Sequence, residues 1–466
     1  MGDATTSKAV SPGLLMVAER ARRNPQERIL SLCRFIDVAA LARAHKRLRK
    51  DAAVGVDGVT FGTYGQRLEG NLVELHARMK AGRYRHQPIR RVNIPKEKGK
   101  TRPIGISSIE DKIVQGALRE VLEAVYEQDF LDCSHGFRPG RRAHDALRAL
   151  NREVRAGWVR YILEADIVSF FDSIDRKMLM EMLRGRIADE SLMRLVGKCL
   201  HVGVLDGAEY SEPDVGTAQG SVLSPLLGNI YLHNVLDLWI EREAKPRLRG
   251  RCVPVRYADD FVIMFERQDD AERVMAVLPK RMAKYGLALH PEKTRLFAFA
   301  PPSGDDEGTG SETFDFLGFT LYWRRTRYGS WGMWCKTRRA RISRAIMAAA
   351  DWCRRHRHWP VKDQHAALVR SVRGHINYFG VNGNKVSLSR FVAAVDGDDD
   401  GRLRGGSRSA RAALRTDGTG AGGAARARAR GRKKPADPGG LRQRRHGTRA
   451  VGRAEALRRA GARPDP

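Results

Sequence analysis

The chain has 466 residues, 42% of them apolar, and carries a formal charge of +31 with an isoelectric point near 10.5. Such a length supports two or three domains with a sizeable core, and so strong a positive field favours a polyanion, nucleic acid first. No run of 18 apolar residues is present to span a bilayer and no secretory leader pattern opens the chain, so no membrane partner is expected and the cytoplasm is the expected compartment.

Six cysteines (33, 133, 199, 252, 335 and 353) are scattered without a C-x-x-C pair. This argues against a zinc site or a disulfide framework and fits a reducing compartment. Residues 1–24 read as a polar, partly flexible lead. From 26 to 50 the spacing of Ile29, Leu30, Leu32, Phe35, Ile36 and Leu41 predicts one or two amphipathic helices, so residues 1–54 are read as an N-terminal helical extension. A turn at 55–60 precedes a helix over 68–79. A strand over 90–96, a basic loop and a second strand from Arg102 follow. That arrangement can hold Lys96 and Arg102 over a triphosphate, the lysine as a point charge and the arginine as a bidentate fork.

Residues 109–130 read as a helix. The stretch Ser134-His135-Gly136-Phe137-Arg138-Pro139-Gly140-Arg141-Arg142 mixes turn, basic and aromatic residues and opens a helix at Ala143. His135 has no second histidine or cysteine at ligand spacing. Residues 176–200 read as helical. Glycines at 216 and 220 allow close backbone approach, and Gln219 offers donor and acceptor to a bound nucleotide. A helix through Leu238, a helix over 270–285, a turn–strand–turn over 286–294 and a strand pair over 314–321 come next. Residues 337–394 turn helical and basic, with Trp352, Trp359, Tyr378 and Phe379 interleaved; such rings stack bases or build core. After Phe391 no Phe, Tyr or Trp occurs, and residues 396–466 become Gly/Ala/Arg low complexity carrying +11 of the total charge. That tail is too poor in apolar residues to offset chain entropy and is expected to be disordered, or to be the product of a frameshift.

Two stretches carry the chemistry. In the first, Val253, Val255 and Tyr257 alternate in strand fashion, and residues 261–265 form a continuous apolar run suited to a strand buried on both faces. Between them stand Asp259 and Asp260, expected at a hairpin turn. In the second, a β-prone run from Tyr161 delivers Asp166, with Phe170, Phe171 and Asp172 close behind. An acidic pair in a turn is ordinary by itself. Burying carboxylates costs several kcal/mol unless they are paired or ligate a metal, and clustered oxygen ligands suit Mg²⁺. Two such ions about 3.5–4 Å apart would serve a phosphoryl-transfer site.

Taken in order, these blocks resemble the reverse transcriptases encoded by bacterial group II introns, which double as splicing maturases. The matching text runs from about residue 26 to 380. Tyr257-Ala258-Asp259-Asp260 looks like the family's catalytic box, and Asp166 with Phe170-Phe171-Asp172 like its first metal motif. The block from Gln219-Gly220 to Ser224-Pro225-Leu226 looks like its nucleotide-binding block, and the stretch ending in Lys293-Thr294 like the one that follows. The resemblance implies an α+β, right-hand polymerase, with fingers and palm over 55–325, a helical maturase-type thumb over 337–395 and the basic tail after it. It implies two Mg²⁺ ions held by Asp166, Asp259 and Asp260 with Ile167. It implies nucleotide contacts from Lys96, Arg102, Phe171, Gln219 and Lys293, with Phe171 as the gate that excludes a 2′-hydroxyl. Arg138, Arg141 and Tyr378 are the expected RNA contacts. The partners implied are an RNA template (the chain's own intron RNA first), a DNA primer or target, and dNTPs. Competing expectations are a free-standing reverse transcriptase serving phage defence or diversification, and a polymerase-inactive RNA-binding maturase.

Overall fold

The computed structural model describes residues 11–95, 101–206, 209–211, 216–217, 220–302 and 312–396, all within one compact unit spanning Met1–Ser407. Lys96, Gln219 and the low-complexity text beyond residue 396 lie outside the described residues.

Eleven strands are formed by these residues: β1 Ile89–Pro95, β2 Thr101–Ile106, β3 Tyr161–Ala165, β4 Val204–Asp206, β5 Glu209–Ser211, β6 Cys252–Tyr257, β7 Asp260–Phe265, β8 Arg295–Ala298, β9 Phe314–Phe316, β10 Phe319–Arg325 and β11 Trp331–Thr337. They build three sheets, ordered β2-β1-β4-β5, β6-β7-β3-β8 and β11-β10-β9. The second is antiparallel throughout and sits at the centre. Its alternation decides the core. Leu163, Phe261, Ile263 and Phe265 face one apolar cluster, built around the buried helix Ile109–Tyr126. Ile162, Val262 and Met264 face the other, shared with Phe297, Phe314, Phe319 and Leu321. Period-2 patterning thus buries both faces of β7, whose residues 261–265 are at most 1% exposed.

Three segments differ from the sequence reading. The polar lead contains a helix, Pro12–Arg23, with Ser11 as N-cap, Pro at its first position and Leu14, Val17 and Ala21 buried. The cap and the proline are the usual start signal. Residues 26–32 are not helical. Ile29 instead bridges Ile187, and the helix begins only at Val38, where Asp37 accepts the Ala40 N–H at 2.7 Å. Strand β11 was not anticipated either, because its aromatic text adjoins the basic helical region.

The helix Ser224–Leu232 continues into two π-helical turns, His233–Asp237 and Ile240–Ala244. After β11 come three helices, Arg339–Arg355, Val361–Phe379 and Lys385–Asp396.

Candidate active site

Tyr257 pairs with Asp260, so β6 and β7 are joined by the two-residue turn Ala258-Asp259. Ala258 has φ 59°. Left-handed backbone suits tight hairpins, yet costs a residue with a Cβ about 1–2 kcal/mol. Asp259 is therefore in the turn itself, while Asp260 opens β7. Ala165 of β3 lies opposite Phe261, and one more step along that register sets Asp166 beside Asp260. The Asp166 carbonyl accepts the His290 N–H at 2.8 Å, its carboxylate pairs with the Lys293 ammonium, and Ile167 bridges Leu289.

Two of the three carboxylates are shifted by burial and by their acidic neighbours. Burial, then Asp259 and Asp166, push Asp260 up to about 7. Asp259 is also raised, by burial first and by Asp166, against the pull of Arg102 and Lys293. A set of oxygen donors that resists losing its protons is short of positive charge, and a hard divalent cation fits it. Among the described residues no group of three or more His, Cys, Asp or Glu side chains is arranged to hold a metal ion by itself. A shell completed by water and substrate phosphate does not require such a group.

Over the hairpin opens a cavity of about 780 Å³, lined by Arg102, Phe137, Phe171, Tyr257 and both aspartates, and by Leu317, Arg341, Arg344 and Tyr378 from the C-terminal side. The Phe171 carbonyl accepts the Thr217 N–H at 2.7 Å, and its ring packs on buried Phe170 at 5.1 Å. The Tyr378 hydroxyl donates to the Leu317 carbonyl at 3.0 Å. Five non-glycine residues have positive φ among those described: Ser31, Phe137, Ser169, Ala258 and Leu317. Three of them line this cavity, and Ser169 stands between Asp166 and Phe171. Backbone strain gathered in this way marks a functional site.

Of the residues singled out from sequence, Arg102, Phe171, Asp259, Asp260 and Tyr378 line this cavity, and Asp166, Ile167 and Lys293 flank the hairpin. Lys96 and Gln219 lie outside the described residues. Arg138 and Arg141 do not face it. Arg138 is buried and donates to Glu127 and to the carbonyls of Leu131 and Ser134, while Arg141 donates to Asp132. Both brace their own loop, and the side chain that this loop presents is Phe137, 45% exposed. Sequence reasoning missed Phe137, Arg341 and Arg344, and missed the buried Arg256 behind the hairpin; for the last, its place directly before the acidic motif was the available signal.

Nucleotidyl transfer along a nucleic-acid strand calls for carboxylates held at a rigid edge and cations above them for phosphates, and a polymerase is the class this geometry fits. The reverse transcriptase (RNA-dependent DNA polymerase) family profile matches residues 94–321. Protein YkfC of Escherichia coli K12 is 33% identical over 353 residues, covering 67% of this chain and 88% of that protein. The group II intron-encoded protein LtrA of Lactococcus lactis subsp. cremoris is 35% identical over 248 residues, half of this chain but only 41% of LtrA. A 91 kDa protein in the cob intron of Schizosaccharomyces pombe is 44% identical over 163 residues, 35% of this chain and 20% of that protein. The chain belongs to the reverse transcriptase family, among the group II intron-encoded reverse transcriptases and maturases.

Proposed function

We propose that this protein is the RNA-directed DNA polymerase of a group II intron, copying RNA into cDNA from a DNA primer and assisting the splicing and mobility of that intron. The observation that carries the reading is the cluster of Asp166, Asp259 and Asp260, with Asp166 raising both of the others, beneath a cavity walled by Arg102, Arg341 and Arg344. In this reading β1 and β2 belong to the fingers within 55–325, the β6-β7-β3-β8 sheet is the palm, and the helices within 337–395 are the thumb. Residues 1–54 are an N-terminal extension and 396–466 a basic tail.

Asp166, Asp259 and Asp260, with the backbone at Ile167, are the groups that would hold two Mg²⁺ ions. When bound, the ions supply activation of the primer 3′-hydroxyl and neutralise charge on the departing pyrophosphate. The chain's own residues do the positioning, which is most of what such a reaction requires. Arg102 grips the triphosphate, and Lys96 and Gln219, outside the described residues, keep the nucleotide-binding roles that the family resemblance gives them. Phe171 blocks a ribose 2′-hydroxyl by steric clash. Lys293 pairs with the Asp166 carboxylate. Arg341, Arg344 and Tyr378 line the far wall, where the template–primer backbone would pass.

Primer extension on an RNA template with dNTPs and Mg²⁺, beside Asp259→Asn, is the test. cDNA from the parent alone supports the reading; equal product from both overturns the assignment of Asp259. Splicing of the flanking intron RNA, with and without the protein, tests the maturase part.

A further inference from the structure

Behind the catalytic hairpin, on β6, lies a side chain that the chemistry above does not use. Arg256 is fully buried, and each of its five N–H groups has an acceptor. Nε donates to Asp237 Oδ1 at 2.8 Å and Nη2 to Asp237 Oδ2 at 2.6 Å. Nη2 also donates to Ser134 Oγ at 2.8 Å. Nη1 donates to Asn229 Oδ1 at 3.0 Å and to the carbonyl of Ala258 at 3.0 Å. The last acceptor belongs to the left-handed residue that precedes Asp259.

The anchors come from three parts of the chain. Asp237 ends the first π turn. That wide turn is braced by Arg281, which donates to the Val235 carbonyl at 3.0 Å and the Asn234 carbonyl at 3.3 Å. Asn229 turns its other end outward, donating from Nδ2 to the Gly136 carbonyl at 2.7 Å. The loop carrying Gly136 runs beside β6: the Arg256 N–H donates to the Cys133 carbonyl, and the His135 N–H to the Arg256 carbonyl, both at 2.8 Å. Gly136 packs directly on the hairpin, and a Cβ there would come within 2.3 Å of the Ala258 nitrogen. The hairpin backbone is thus gripped by a guanidinium through its carbonyl and abutted by a glycine at its nitrogen.

We propose that Arg256 is the positioning residue of the catalytic hairpin. Anchored on Asp237 and Asn229, it fixes the carbonyl of Ala258 and so determines where Asp259 stands. This rests on the polymerase reading of the same site. A lysine in its place has one cationic end and cannot cover five acceptors laid out for a planar fork. The grip acts on turnover rather than on binding, because of its members only Ala258 lines the cavity.

The test compares four forms with the parent: Arg256→Lys, the uncharged pair Arg256→Met with Asp237→Leu, Gly136→Ala, and the remote pair Arg186→Met with Asp129→Leu as control. Arg186 is also a buried, fully engaged arginine, donating to Asp129 at 2.8 and 3.0 Å and to the carbonyls of Ala21, Asn24 and Glu27. Single-nucleotide incorporation is measured with primer–template binding by anisotropy, thermal melting, and hydrogen exchange at residues 257–260. The three hub forms should lose about 10²-fold in kcat, the scale of a small misplacement of reacting groups, with KM for dNTP and primer–template affinity near the parent's. Exchange at 257–260 should rise while that of residues 261–265 stays slow. The control should keep the parent's kcat. If Arg256→Lys fails to fold, the uncharged pair and Gly136→Ala, which leave no buried charge unpaired, decide the matter. Hub forms that melt and turn over like the parent, or a control that loses as much as they do, would overturn the assignment. A parent that makes no cDNA overturns the polymerase reading and this assignment with it, whereas an active parent beside unaffected hub forms overturns this assignment alone.

Discussion

The sheet that bears the aspartates and the helices that follow β11 are held in different ways. In β7 every residue from 261 to 265 is buried, and the adjoining turn is tied from behind by a charged side chain with all its donors used. In the last three helices almost nothing is buried: Ala349 in the first, Gln364, Leu368 and Phe379 in the second, Phe391 in the third. They are pinned by a few polar contacts. Asn384, wholly buried, accepts the Thr337 N–H at 2.8 Å and donates to Thr337 Oγ1 and the Phe379 carbonyl, both at 2.7 Å. His144 and the Tyr378 carbonyl are 2.7 Å apart, and Arg338 pairs with Asp315 at 2.9 Å. A region with little buried apolar contact opens locally at low cost. The sheet holds its atoms in place, whereas the helices can open locally at low cost.

Four substitutions would sharpen or break this contrast. Asp259→Asn, in the rigid part, should lower primer extension by roughly 10³-fold, the upper range for one electrostatic group in a preorganised site, with RNA affinity kept. A variant that lost binding as well would show that the hairpin also supports the cleft. Phe171→Ala should relax discrimination against ribonucleotides by up to ~10²-fold, the scale on which a pocket wall rejects an added hydroxyl, as read by competing dNTP and rNTP in single-nucleotide incorporation. Unchanged discrimination would remove Phe171 from the gate. Asn384→Ala should cost about 2 kcal/mol by leaving buried groups unpaired, roughly thirtyfold in an opening equilibrium. Hydrogen exchange should quicken across 339–396 and stay slow in β7; equal acceleration in both would mean that the two regions open as one. Arg341→Ala should have the mildest effect, reducing the slope of log affinity against log salt by about 1. An unaltered slope would take Arg341 off the phosphate path.

The same contrast explains what could be read in advance. Strand β7 was legible because five consecutive apolar residues have few other uses, and Asp166, Asp259 and Asp260 stood out as candidates because carboxylates beside such strands are costly to bury unless paired or bound to a cation. Burial of a basic residue is not written locally. Arg138 and Arg256 look alike in sequence to a solvent-facing arginine, and only Glu127 in one case and Asp237 in the other, brought in by the fold, make them internal. The helix Pro12–Arg23 carried its start signal in Ser11-Pro12, outweighed by its polar composition. Trp331–Thr337 went unseen as a strand because its place depends on pairing with β10, a non-local contact.

The wide turn at His233–Asp237 has a consequence for how the gene can change. A π turn is an ordinary helix holding one residue too many. Each residue in a helix advances the side chains by about 100°. Deleting Val235 would restore a regular helix and leave Asp237 on nearly the same bearing, since four residues at that step cover about the arc of the five in the wide turn, yet it would take away the carbonyl that Arg281 grips. A single codon lost there should therefore be tolerated best where Arg281 changes with it, and in lineages of this chain the length of that helix and the residue at 281 should vary together.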